Sequence, residues 1–223
     1  QIVVSKSFDY GTACVSEQAV VVDKEIAREL RNELKLKGAY FCTPAESDRL
    51  AKVIFLGKQR MNPDRVGQSP EVLAGLAQFS IPPKTRILVS EETEIGWHRP
   101  LSAEKLNPVL AFYVANNEEH ALELSNNIAK FEGWGHSSVV HSNDPQVVAK
   151  FASIPTGRVL VNTPAILGGM GYSTDLEPSF MLGTGTWSGS ITSDNVTALH
   201  LINIKRVAYE SRPWRDIYEE YGE

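Results

Sequence analysis

Cysteine is scarce in this chain: two in 223 residues, alongside three methionines and no repetitive or low-complexity segment. So few cysteines cannot build a disulfide scaffold. With no apolar leader at the N-terminus, they point to a reducing, cytoplasmic setting rather than to secretion. Long hydrophobic runs are missing too. The longest, Val109 to Ala115, falls far below the ~20 residues that span a bilayer and reads instead as a buried strand. Positive charge is in deficit, with 22 Lys and Arg against 27 Asp and Glu and no basic block, which argues against a nucleic-acid surface. An initiator methionine is also lacking. The chain opens on the strand-like Gln1-Ile2-Val3-Val4, as a processed or excised piece would.

What is present is ordinary globular composition, 42% hydrophobic and 22% charged, in alternating helix and strand patterns. Asp23 is expected to cap a helix running to about Lys37 and stopped by Gly38, with Ile26, Leu30 and Leu34 on one face. Thr43-Pro44-Ala45-Glu46 is a capping box that launches a helix to about Phe55, and Ser69-Pro70 starts another. Strands are expected at Thr85–Val89, Val109–Val114, Ser137–His141 and Arg158–Asn162, and helices at Asn117–Phe131 and Asp144–Ser153. Strands separated by helices of this length imply βαβ units and an α/β fold, a three-layer αβα domain. From Thr163 to Gly189 glycine accumulates, and the stretch reads as a long loop able to pass close to a ligand. His200 to Ala208 alternates as a two-sided strand with no hairpin partner beside it, a candidate for pairing with another segment or subunit.

Among residues able to carry chemistry, Cys14 stands out. It occupies a polar turn, Asp9-Tyr10-Gly11-Thr12-Ala13-Cys14, between two apolar runs, where a substrate can reach a thiol. If Gly11-Thr12 opens a helical turn capped by Thr12, the backbone amides lower the thiol pKa. The plain alternative is an inert, buried cysteine. Cys42, in Ala39-Tyr40-Phe41-Cys42, has no polar neighbour to activate it and reads as a structural strand residue. His136, opening a strand, suits either proton transfer near neutral pH or a structural hydrogen bond. The other four histidines show no ligand-like pairing, so no metal site is expected.

The spacing Phe8, Gly11, Cys14 resembles the nucleophile segment of the aldehyde dehydrogenase superfamily, and Ser16-Glu17-Gln18 resembles its CoA-acylating branch. That branch includes acetaldehyde and propionaldehyde dehydrogenases (acylating) and the aldehyde half of bifunctional aldehyde-alcohol dehydrogenases. Further segments resemble its signatures in order: Val66-Gly67-Gln68-Ser69, Phe79-Ser80-Ile81-Pro82, Leu101 to Leu110, Gly133 to Ser138, Arg158 to Pro164 and Leu182 to Gly189.

The resemblance implies that Cys14 attacks an aldehyde carbonyl, that hydride passes to NAD or NADP, and that coenzyme A collects the acyl group from a thioester. It further implies that Glu104, with Pro108 nearby, contacts the cofactor. Thr12, Ala13, Val15 and Thr163 would line the aldehyde pocket, and His136 would assist the CoA thiol. No metal is implied. Residues 1–198 would form the catalytic domain, 199–209 an oligomerisation strand that pairs subunits into a dimer or tetramer, and 210–223 a tail. The expected partners are a small aldehyde and CoA, with neither nucleic acid nor membrane, in the cytoplasm or within a bacterial microcompartment.

The resemblance also shows what is lacking. Thr12 stands where the superfamily often has glutamine, and no Gly-rich cofactor turn precedes Cys14. The chain therefore reads as the catalytic C-terminal half of such an enzyme, not expected to be fully active alone. Two other readings stand beside it: a hydrolytic dehydrogenase that releases the free acid, and a non-catalytic fragment that serves as an oligomerisation module.

Overall fold

The computed structural model of the chain describes residues 1–57 and 59–222. Its centre is a four-stranded parallel sheet in the order β1 (Ala19–Asp23), β6 (Val109–Ala115), β5 (Ile87–Glu91), β2 (Ala39–Phe41). Parallel strands need helical crossovers, and these cover both faces of the sheet. Side chains of a strand alternate between faces, which divides the core in two. Leu88 and Val109 point to the side of α3 (Pro44–Ile54) and α4 (Pro70–Leu76), where Leu50, Ile54 and Leu73 are fully buried. Ile87, Val89, Leu110 and Phe112 point to the other side, against Val3 of α1 (Ile2–Ser7) and Leu34 of α2 (Ala27–Leu36). Each such side chain contributes about 1.5–3 kcal/mol on burial. The three-layer αβα architecture expected from the alternation is the one found.

Two further pairs extend the domain. A short hairpin joins β3 (Phe55–Leu56) to β4 (Arg60–Met61). A separate parallel pair, β7 (Gly135–Val140) and β8 (Thr156–Val161), is connected through α6 (Pro145–Phe151). Helix α5 (Glu118–Ile128) packs on β1 and β6, then ends in a π-turn over Ala129–Gly133 that leads into β7. The capping box at α3 forms as expected: Thr43 Oγ1 accepts from the Glu46 N–H, and Glu46 Oε2 accepts from the Thr43 N–H at 2.8 Å. Ser69 and Asp144 cap α4 and α6 through one bond each, accepting from the Val72 and Gln146 N–H groups, and each stands ahead of a proline.

Three local expectations are corrected. Ile2-Val3-Val4 forms the first turn of helix α1, not a strand; a short apolar run is ambiguous by periodicity, and docking on the sheet and on α7 (Ala165–Gly169) decides it. Asp23 ends β1 and accepts from the Glu25 N–H, so α2 starts at Ala27 without it. The segment after Thr163 is not loop throughout. It begins with α7, whose first amides are held by Glu17 Oε1 at Ala165 (3.1 Å) and by Ser5 Oγ at Ile166 (3.0 Å). Residues 199–209 form no strand in this single chain. A 3-10 turn at Ala198–His200 is followed by exposed, unpaired backbone, and then by the exposed helix α8 (Trp214–Tyr221). An edge that finds no partner within its own chain has nothing to hold it as a strand.

Candidate active site

The turn that carries Cys14 is made by backbone strain that its surroundings hold in place. After α1 the chain enters a 3-10 turn in which Asp9 (φ 45°) and Tyr10 (φ 49°) adopt the left-handed conformation that side chains disfavour. Gly11 follows at φ 71°, and a Cβ there would lie 2.6 Å from the Asn107 carbonyl oxygen. Ser16 Oγ donates to the Gly11 carbonyl at 3.4 Å, and the Ser16 N–H donates to the Ala13 carbonyl at 2.9 Å. Cys14 therefore sits at the tip of an isolated turn, with its side chain exposed. Thr12 does not cap a helix; its hydroxyl turns back to Asp9.

This geometry also corrects the expected electrostatics. Burial of the thiol's inner side, and then the Glu104 carboxylate, push the Cys14 pKa up from its ordinary value. The N–H groups of Cys14 and Val15 and the Arg158 guanidinium oppose that rise without cancelling it. Cys42 is the inert contrast: buried just beyond β2, with its thiol pushed up to about 12 by burial and the Glu46 charge.

Cys14, Glu104 and His136 line one cleft of about 1040 Å³ that runs between β1, α5 and β7. Burial and the Glu132 charge raise the half-buried Glu104 carboxyl, while Lys6 and Lys105 draw it down. His136, the second residue of β7, is half-buried, and burial followed by the Arg158 charge lower its pKa, favouring the neutral ring. Its Nδ1 lies 3.2 Å from Ser137 Oγ. Thr12, Ala13 and Thr163 do not line this cleft, whereas Val15 does, with only 4% of its surface exposed. Ala13 packs with Val15, Leu160 and Ile166, and Thr163 is buried with its hydroxyl on Ser173. Pro108 is likewise away from the cleft. It is buried at the entry to β6, and its carbonyl accepts from the Leu88 N–H at 2.8 Å.

Several polar groups of the site escaped the sequence reading. Two lysines lie fully buried near the nucleophile turn. Lys105 Nζ donates to the carbonyls of Leu101 (2.8 Å), Ala103 (2.7 Å) and Gln18 (3.1 Å). Lys6 Nζ donates to Gln18 Oε1 at 3.2 Å, and desolvation lowers its pKa to about 7 against the opposing pull of Glu17 and Glu104. Arg158 is buried on β8 and spans from Ser137 to the carbonyls of Gly183 and Ser193. A lysine after Val3-Val4-Ser5, or an arginine opening a β pattern, carries no signal in sequence that it will be buried. Among the described residues, no group of three metal-ligating side chains is assembled. No helix among them is long and apolar enough to cross a membrane.

No known family model matches the chain. Individual proteins do. Aldehyde-alcohol dehydrogenase 2 of Entamoeba histolytica is 40% identical over 217 residues, which is 93% of this chain and 25% of that protein. The crystal structure of an acetylating aldehyde dehydrogenase from Geobacillus thermoglucosidasius superposes with a TM-score of 0.90 at 43% identity, covering 95% of this chain and 47% of that one. Rhodopseudomonas palustris propionaldehyde dehydrogenase, solved with bound CoA and an acylated cysteine, matches at a TM-score of 0.75 and 25% identity over 86% of this chain and 43% of its own. The chain thus spans about a quarter of the curated aldehyde-alcohol dehydrogenases it matches and about half of the solved acetylating enzyme. Sequence and fold both align it with acylating aldehyde dehydrogenases along nearly its whole length.

Proposed function

We propose that this chain is the thiol-bearing part of a CoA-acylating aldehyde dehydrogenase, with Cys14 as its nucleophile. The observation that carries the reading is the exposed Cys14 turn sharing a cleft with Glu104 and His136, in a chain aligned to an acetylating aldehyde dehydrogenase over 95% of its length. The Cys14 thiolate attacks the aldehyde carbonyl carbon and forms a C–S bond, leaving a tetrahedral thiohemiacetal. The Cys14 N–H, whose dipole favours the thiolate, would stabilise charge on the former carbonyl oxygen. With the hydride passed to a bound nicotinamide as the oxyanion collapses, an acyl thioester would remain on Cys14. His136, held neutral by burial, accepts the proton of the CoA thiol as that sulfur displaces Cys14 from the acyl carbon.

The residues present fit a nicotinamide dinucleotide. Glu104 offers a half-buried carboxylate on the same cleft as the thiol, and the adjoining Lys105 is fixed by three carbonyls, so the segment is rigid. Glu104 would hold the cofactor's ribose, and bound nicotinamide supplies the hydride acceptor. The His200–Ala208 segment, exposed and unpaired in the single chain, is the surface through which subunits would join.

The test is mass spectrometry of the full-length protein incubated with acetaldehyde or propanal and NAD without CoA, followed by CoA. We expect an acyl adduct on the peptide bearing Cys14 that CoA discharges as acyl-CoA, and none in Cys14→Ser. NADH formation that continues without CoA, with release of free acid and no adduct, would instead establish hydrolytic chemistry.

A further inference from the structure

Arg158 has five N–H donors and no acceptor, and it is almost fully buried, so every partner it has is an acceptor it orients. Its position follows from the strand pairing: in the parallel register of β7 and β8, Arg158 lies directly opposite Ser137. Arg158 Nη1 donates to Ser137 Oγ at 3.3 Å. The same guanidinium reaches the other way, where Nη2 donates to the Gly183 carbonyl at 3.0 Å and the Ser193 carbonyl at 2.7 Å. Those two carbonyls form the neck of a loop closed by the Gly183 N–H on Asp194 and the Gly185 N–H on Thr192. The loop in turn presses its Thr184 carbonyl toward Gly135, the left-handed residue immediately before His136.

Ser137 Oγ is therefore held by a cation from one side, and His136 Nδ1 lies 3.2 Å from it on the other. A hydroxyl oxygen has two lone pairs and one proton. With one lone pair engaged by Arg158, it can donate its own proton to a bare Nδ1 or accept from an Nδ1–H. In the Nδ1–H tautomer the Nε2 lone pair is free to take a proton; in the opposite tautomer it is not. The other ionisable side chains lining this cleft are Cys14, Glu17, Asp23, Glu33, Lys37, Arg86, Glu104, Glu118, Glu132 and His141, and the nearby charge acting on His136 is that of Arg158.

We propose that Ser137 and Arg158 are positioning residues for His136. The guanidinium fixes the serine oxygen beside the ring, that oxygen accepts from Nδ1–H in the arrangement that leaves Nε2 free, and the Gly183–Ser193 loop is locked against the same strand. This rests on the reading that His136 takes the proton of the CoA thiol.

The experiment uses full-length enzyme with single Ser137→Ala, Ser137→Thr, Arg158→Met and His136→Ala substitutions, in two measurements. The first separates the initial NADH burst, which reports acylation, from steady-state CoA-dependent turnover. We expect Ser137→Ala to keep the burst amplitude and lose about tenfold in turnover, with Ser137→Thr restoring most of it. Arg158→Met should lose at least as much. Because it also removes a buried charge, its folding is checked by thermal melting, and Ser137→Ala alone suffices if it does not fold. The second measurement is the ¹⁵N chemical shift of the His136 ring. We expect protonated Nδ1 in the parent protein and a mixed tautomer in Ser137→Ala. Unchanged turnover and unchanged ring shifts in Ser137→Ala would overturn the proposal. If His136→Ala leaves CoA-dependent turnover intact, the proton-transfer reading of His136 fails, and the ring shifts still decide whether Ser137 selects the tautomer.

Discussion

Gly11→Ala probes the turn that presents the thiol. Gly11 is left-handed at φ 71°, and an added Cβ would meet the Asn107 carbonyl at 2.6 Å for oxygen and 2.8 Å for carbon, with the Lys6 carbonyl oxygen at 3.0 Å. All three are backbone atoms, so no flexible side chain can swing aside. The Asn107 N–Cα–C segment is also anchored, since its carbonyl accepts from the Val109 N–H where β6 begins. The left-handed conformation costs an alanine about 1–2 kcal/mol, and forcing a methyl into a packed site about 1–3 kcal/mol more. Together these give about 2–5 kcal/mol. At a urea m-value of about 2–3 kcal/mol/M, that corresponds to a midpoint lowered by about 0.7–2.5 M. Urea denaturation followed by circular dichroism measures this directly. Iodoacetamide labelling under native conditions adds the local view: the displaced turn should alter the Cys14 rate while Cys42, buried beyond β2, stays protected. A midpoint within about 0.2 M of the parent, with unchanged Cys14 labelling, would refute the idea that the close approach of Gly11 to Asn107 shapes this turn.

Two further outcomes follow from the charges around the site. Because the Glu104 carboxylate raises the Cys14 pKa, Glu104→Gln should increase the thiolate fraction and speed Cys14 alkylation at pH 8; equal rates would remove Glu104 from the account. Lys6 titrates at about 7 in the folded chain, against about 10.4 when unfolded. Between those values the unfolded state binds more protons, so the Lys6 contribution to stability rises with pH, is complete above the unfolded value and is lost as pH falls toward 7. The urea stability of the parent should therefore climb more steeply from pH 7.5 to 9.5 than that of Lys6→Met, by up to about 1.4 kcal/mol per pH unit; parallel slopes would mean that Lys6 is charged in the folded state.

Local sequence determined those features whose physics is local. Thr43-Pro44-Ala45-Glu46 and Ser69-Pro70 start helices because a side-chain oxygen and a fixed proline φ act on the next three residues and on nothing else. Val109 to Ala115 forms the central buried strand because a continuous apolar run of that length has few other fates, and the strand–helix alternation yields the three-layer fold. Cys14 was legible as the exposed thiol on a turn, and Glu104 and His136 were legible through resemblance. Tertiary structure decided the rest. Ile2-Val3-Val4 is helical because of what it packs against, and the stretch from 199 to 209 is unpaired because a strand needs a neighbour that the single chain does not provide. The ionisation of the site is likewise non-local. Whether Lys6, Lys105 and Arg158 lie in water or in the interior is decided by tertiary packing: Lys105 is held by Gln18, 87 positions away, and Arg158 by Ser137, Gly183 and Ser193, 21 to 35 positions away. Burial and the Glu104 charge push the Cys14 thiol up, and burial with the Arg158 charge holds His136 neutral, because desolvation and charge act through space rather than along the chain.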